Sequence, residues 1–98
     1  MEKEIVVTKR FRNNTKKIYN YLLKQFSPKI AYQFLDNIAE RIELIARHPT
    51  IGKQSGSKKN IRCIPLTPHN LLFYRLSNNK IEILCLFDNR KNPNKKPY

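Results

Sequence analysis

The side chains best suited to chemistry in this sequence are cations. Lys53, Lys58 and Lys59 stand in a Gly/Ser-rich stretch, Arg62 opens an apolar run, Arg90 and Lys91 follow the last apolar run, and Lys95 and Lys96 lie in the tail. Preorganised cations stabilise the extra negative charge of a phosphorane-like transition state. Arg62 and Arg90, if the fold sets them at neighbouring positions of a sheet, could therefore support metal-free RNA cleavage. Such a reaction also needs a base, and Lys59, His69 and Tyr98 are the candidates. Each also has an ordinary structural explanation: a solvated loop charge, a turn residue after Pro68, and a chain terminus. Without a base, the lysines Lys53, Lys58, Lys59, Lys91, Lys95 and Lys96 form a recognition surface for an anionic partner.

Other chemistries lack their residues. There is no glycine run to cradle a phosphate, no serine in a nucleophile-elbow context and no carboxylate pair aimed at one place. Asp88 is the sole acid in the last sixteen residues and reads as a partner for Arg90 or a turn former. Cys63 and Cys85 each sit inside an apolar run, as buried free thiols do in a reducing compartment. Neither has His48 or His69 at ligand spacing, so the expectation is no metal and no cofactor.

Charge sets the class of partner. Twenty Lys and Arg oppose seven Asp and Glu, a net +13 on 98 residues. Residues 1–43 carry nine basic and five acidic side chains, and residues 44–98 carry eleven and two, which assigns the positive field to the second half. Nucleic acid or an acidic protein segment answers such a field. An anionic membrane surface would too, but no run approaches the roughly 20 apolar residues of a bilayer span and no signal-like segment opens the chain, so the reading is cytoplasmic.

The elements that must position these residues are legible from periodicity. Glu4 to Thr8, with β-branched Ile5, Val6 and Val7, predicts a strand. From Asn14 the pattern turns helical, with Thr15 able to cap the following turn and Ile18, Leu22 and Phe26 on one face. Ser27-Pro28 starts a second helix, serine as N-cap and proline at the first position. There Ala31, Phe34, Leu35, Ile38, Ile42 and Ile45 form an apolar stripe, closed by His48-Pro49. Residues 52–60 have no apolar side chain and predict an exposed loop. Strands follow over Ile61 to Leu66, Asn70 to Leu76 and Lys80 to Phe87, the last one central, with Asn78-Asn79 making a positive-φ hairpin turn. In a simple meander Cys63 and Cys85 are two strands apart, about 9 to 10 Å, beyond the reach of a disulfide. The tail from Arg90 to Tyr98 predicts an extended or weakly ordered segment. The fold class is α+β, order β-α-α-β-β-β: a helical hairpin packed on a small, twisted, mostly antiparallel sheet in one domain spanning residues 1–98.

Ile45-Ala46-Arg47-His48-Pro49-Thr50-Ile51-Gly52, then Ile61-Arg62, Leu72-Phe73-Tyr74-Arg75-Leu76, and Ile81-Glu82-Ile83-Leu84 running to Phe87-Asp88-Asn89-Arg90, resemble the RelE/ParE superfamily of toxins from type II toxin–antitoxin systems. The resemblance covers nearly the whole chain. It implies a growth-inhibiting, plasmid-stabilisation type of toxin held inactive in a hetero-oligomer by a cognate antitoxin, whose flexible segment wraps it. RelE-like members cleave messenger RNA in the ribosome, and ParE-like members inhibit DNA gyrase without a hydrolytic site. Arg62 and Arg90 match two basic positions of the nuclease branch, but Ile64 occupies a third and Leu71 stands where a key arginine is expected. The resemblance therefore implies the ParE-like, gyrase-directed branch, with Arg62 and Arg90 catalytic only in the RelE-like alternative. A third reading is a non-toxic basic module that binds nucleic acid through its field alone.

Overall fold

The computed structural model describes residues 3–56, 60–90 and 96–98. The elements are β1 (Glu4–Val7), α1 (Lys9–Gln25), α2 (Pro28–Arg47), β2 (Lys53–Gln54), β3 (Ile61–Thr67), β4 (Asn70–Leu76) and β5 (Lys80–Asp88). They form the expected α+β architecture with one strand more than the sequence suggests. The sheet order is β1-β5-β4-β3-β2. β1 pairs in parallel with β5, and every other pairing is antiparallel. Among the described residues no helix is long and apolar enough to cross a membrane.

The first helix starts five residues earlier than Thr15 and Asn14 suggest. Thr8 is the N-cap: its hydroxyl accepts the Phe11 N–H at 3.1 Å and donates to the Leu84 carbonyl at 2.7 Å. Thr15 instead lies within the helix, its hydroxyl buried without a hydrogen-bond partner among the described residues. A capping residue and a mid-helix threonine look alike in sequence, and the contact with β5 decides between them. Phe26 is the C-cap and 59% exposed, so the apolar face of α1 ends at Leu22. α2 begins as expected, with the Ser27 hydroxyl accepting the Ile30 N–H and Pro28 at the first position.

α1 and α2 cover one face of the sheet. Phe11, Phe34, Ile38 and Ile45 pack there with Ile64, Leu66, Leu72, Tyr74, Ile81, Ile83 and Leu86. A bulge sets which β5 residues reach this core. Phe73 pairs with Cys85 but Tyr74 with Ile83, so Leu84 is the extra residue. An inserted residue shifts the two-residue alternation by one. Ile81, Ile83 and Leu86 thus face the helices, whereas Leu84 and Cys85 join Ile61 and Phe73 in a second cluster. The two-residue alternation that sets Ile81 and Ile83 on the helix side holds only up to the bulge. β5 is interior, as expected. Where β1 ends, α1 completes the β5 edge: Thr8 binds the Leu84 carbonyl and the Asn14 side-chain carbonyl accepts the Leu86 N–H.

The stretch 52–60, read as a loop, contains β2, which pairs Lys53 with Cys63 and Gln54 with Arg62. Gly52 and Ser55 are buried. The β4–β5 turn closes with the Ser77 N–H donating to the Lys80 carbonyl at 3.0 Å, and neither Asn78 nor Asn79 has positive φ, contrary to the hairpin expectation. Cys63 and Cys85 are free thiols on strands separated by β4.

Candidate functional site

Arg62 and Tyr74 face each other across β3 and β4 on the helix side of the sheet. Their polar atoms hold the segment linking α2 to β2. The Tyr74 hydroxyl donates to the Pro49 carbonyl at 2.7 Å and accepts the Gly52 N–H at 2.9 Å. The Arg62 guanidinium donates to the carbonyls of Thr50 and Gly52 at 3.1 and 2.7 Å. Burial pushes the Tyr74 phenol above its ordinary pKa, against the lowering influence of the Gly52 N–H and the Arg62 charge. The result is a fixed loop presenting Ile51, 43% exposed, beyond the helix end.

Arg90 lies elsewhere. Asn70, at the far end of β4 from Tyr74, pairs with Asp88, and Arg90 follows two residues later. Four residue steps along β4 separate the two ends, about 14 Å. Arg90 donates to Asp88 at 3.2 and 3.1 Å, a pairing that raises its pKa further. Arg62 and Arg90 thus do not occupy the neighbouring positions that a shared phosphate contact requires. His69 is near Arg90, since the Asn89 N–H donates to the His69 carbonyl at 2.8 Å.

These two residues line the rim of a groove of about 620 Å³ between the helical hairpin and the ends of β4 and β5. Leu22, Phe34, Ile30, Tyr21 and Phe26 supply most of its apolar lining, Gln33, Asn37, Thr67 and Asn70 add polar groups, and Lys17, Asp88 and Arg90 mark its edges. Tyr21, Phe26 and Ile30 are 55%, 59% and 40% exposed.

Of the other sequence candidates, Lys58, Lys59, Lys91 and Lys95 lie outside the described residues. Lys53 and Lys96 are exposed. Tyr98, the third candidate base, is on the opposite side of the sheet from Arg62. Its ring packs on Phe73 with centroids 5.6 Å apart, and its terminal carboxyl end accepts from the buried Ser55 hydroxyl at 2.9 Å. The end of the tail is therefore docked against the sheet, beside the edge that carries Lys53.

One group of residues escaped the sequence reading. α1 carries Lys9, Arg10, Arg12, Lys16, Lys17 and Lys24, all exposed, and no acidic residue. Placing the helix start at Asn14 removed three of these six from the helix and hid the pattern. The half-chain charge tally hid it again, because α2 and the N-terminal residues supply the five acids that offset α1.

The family model for "ParE toxin of type II toxin-antitoxin system, parDE" matches residues 5–93. No curated protein matches the chain by sequence. Among solved structures, a chain of the chromosomal ParDE system of P. aeruginosa superposes with a TM-score of 0.74 at 16% identity, covering 89% of this chain and 96% of that one. The E. coli DinJ-YafQ toxin–antitoxin complex gives 0.65 at 13% identity, covering 94% and 98%. A YoeB/ParE toxin from Agrobacterium tumefaciens gives 0.63 at 15% identity, covering 87% and 96%.

Proposed function

The chain belongs to the ParE toxin family of type II toxin–antitoxin systems, and from that premise we propose that it inhibits DNA gyrase and is neutralised by a cognate antitoxin. The observation that carries the gyrase reading is the separation of Arg62 from Arg90. Stabilising a phosphorane needs cations converging on one phosphate. Here Arg62 is bound to the carbonyls of Thr50 and Gly52, and Arg90 is paired with Asp88 at the other end of the sheet. A toxin that acts by binding, with Lys53, Lys58, Lys59, Lys91, Lys95 and Lys96 as recognition charges, needs no such convergence. Purified protein should block gyrase supercoiling and leave translated message uncut. Unimpeded supercoiling at stoichiometric excess over gyrase would reject the reading.

The groove beside the helical hairpin suits the antitoxin. Its apolar walls offer anchors to a flexible segment, and the overall positive charge speeds encounter with an acidic one. Relatives of the same fold come from toxin–antitoxin complexes.

A second reading, message cleavage on the ribosome, is favoured by one feature: His69 and Arg90 share that groove rim, an imidazole beside a cation. Arg90→Ala would then lower cleavage on the order of 100-fold or more.

A further inference from the structure

Apart from Lys17, which borders the groove, the cationic face of α1 has no role in the loop clamp, the groove or the tail. On a helix of 3.6 residues per turn, Lys9, Arg10, Arg12, Lys16, Lys17 and Lys24 fall on one side, opposite Phe11, Ile18 and Leu22, which face the core. Asn13 and Asn20 complete the exposed arc. The charges extend over about 22 Å of helix. Among the described residues none of the six meets a carboxylate at ion-pair distance; Arg12 donates to the Val7 carbonyl at 3.0 Å.

Two comparisons argue against a merely solvated face. Lys9, Arg10 and Arg12 occupy the first turns, where the positive end of the helix dipole disfavours cations. α2, of similar length and also partly solvent-facing, balances three basic with three acidic residues. α1 thus retains cations at positions where helix stability selects against them.

The composition also chooses among anions. Centres of protein interfaces are depleted in charge and built around apolar or aromatic anchors. The middle of this arc is Lys, Arg and Asn. Single-stranded nucleic acid is gripped by stacking on aromatic platforms, and the one exposed aromatic of α1, Tyr21, lies at the margin of the arc on the groove side. Long cations with interspersed amides, and only the half-buried Leu23 among them, match the phosphate backbone of a duplex, which is contacted mainly by such groups without regard to sequence.

We infer that the exposed face of α1 is a sequence-independent binding surface for the phosphate backbone of double-stranded DNA. This deepens the gyrase reading and rests on it for its biological sense: the toxin would hold the DNA that gyrase is processing as well as the enzyme.

The test is fluorescence anisotropy of the full-length protein, without gyrase, on a labelled duplex of arbitrary sequence. Six phosphate contacts give a log–log salt slope of about −5. Lys16→Gln with Lys17→Gln should reduce that slope by about 2 and weaken binding about ten-fold or more at about 0.1 M salt. Lys29→Gln with Arg47→Gln removes the same charge from α2 and should change affinity less than three-fold. Circular dichroism of both variants checks that the fold is kept. Equal weakening by the two pairs, a slope near zero, or tighter binding to duplex RNA or polyglutamate than to DNA would each overturn the inference. A toxin that inhibits gyrase but fails here sinks only this inference; one that binds DNA through α1 but spares gyrase sinks only the target reading.

Discussion

The Tyr74 hydroxyl occupies the space that a side chain at Gly52 would need. A Cβ built on Gly52 would lie 2.8 Å from the Tyr74 Oη and 2.9 Å from the Cys63 carbonyl oxygen. The same hydroxyl accepts the Gly52 N–H, so one close approach supplies both the contact and the hydrogen bond that fix the α2–β2 segment.

Gly52→Ala should therefore destabilise the protein by about 1–3 kcal/mol, as overpacking a filled site does. Neither neighbour yields easily, one being backbone and the other a fully buried ring. Urea unfolding reads the loss. A stability within about 0.3 kcal/mol of the parent would mean that the segment is not held as described.

Tyr74→Phe keeps the ring but leaves the buried Gly52 N–H and the Pro49 carbonyl without the hydroxyl, at a cost of about 1–3 kcal/mol. It should also alter the pH profile. The folded-state pKa of Tyr74 is raised by burial, so above the ordinary phenol value of about 10 the unfolded chain releases a proton that the folded one keeps. The stability this contributes is complete below that value and is lost as pH rises through the raised one. The advantage of the parent over Tyr74→Phe should be constant from pH 7 to 9 and shrink above pH 10. A gap that widens with alkali contradicts the assignment.

Thr15→Val should stabilise the protein by about 1 kcal/mol. Valine matches threonine in shape and removes the hydroxyl that is buried without a partner. Were Thr15 the helix cap instead, the same substitution would destabilise it by about 1 kcal/mol, so the sign of the change in thermal midpoint separates the two assignments.

Phe26→Ser should leave stability within about 0.5 kcal/mol, because the ring is mostly exposed. If the antitoxin seats its apolar anchors in the groove, the variant should bind it about ten-fold or more weakly, a loss typical of an aromatic contact at an interface centre. Titration calorimetry with the cognate antitoxin measures this, and unchanged affinity would place the antitoxin elsewhere.

What the sequence determined by itself is the local pattern. Ser27-Pro28 starts α2, the three- and four-residue spacing from Ala31 to Ile45 orients it, and the apolar runs mark β3, β4 and β5, because capping and periodicity act over a few neighbouring residues. The charge also belongs to composition alone. Features that depend on residues distant in the chain are set by the folded arrangement. Thr8 rather than Thr15 caps α1 because the Leu84 carbonyl is there to accept its hydrogen bond, and β2 forms in a polar stretch because Cys63 and Arg62 present an edge to pair with. The bulge at Leu84 turns Leu86 to the helices, and strand register sets Arg62 and Arg90 at opposite ends of β4. Register is a long-range property: it follows from which apolar faces are buried together, and no short window of residues contains that information.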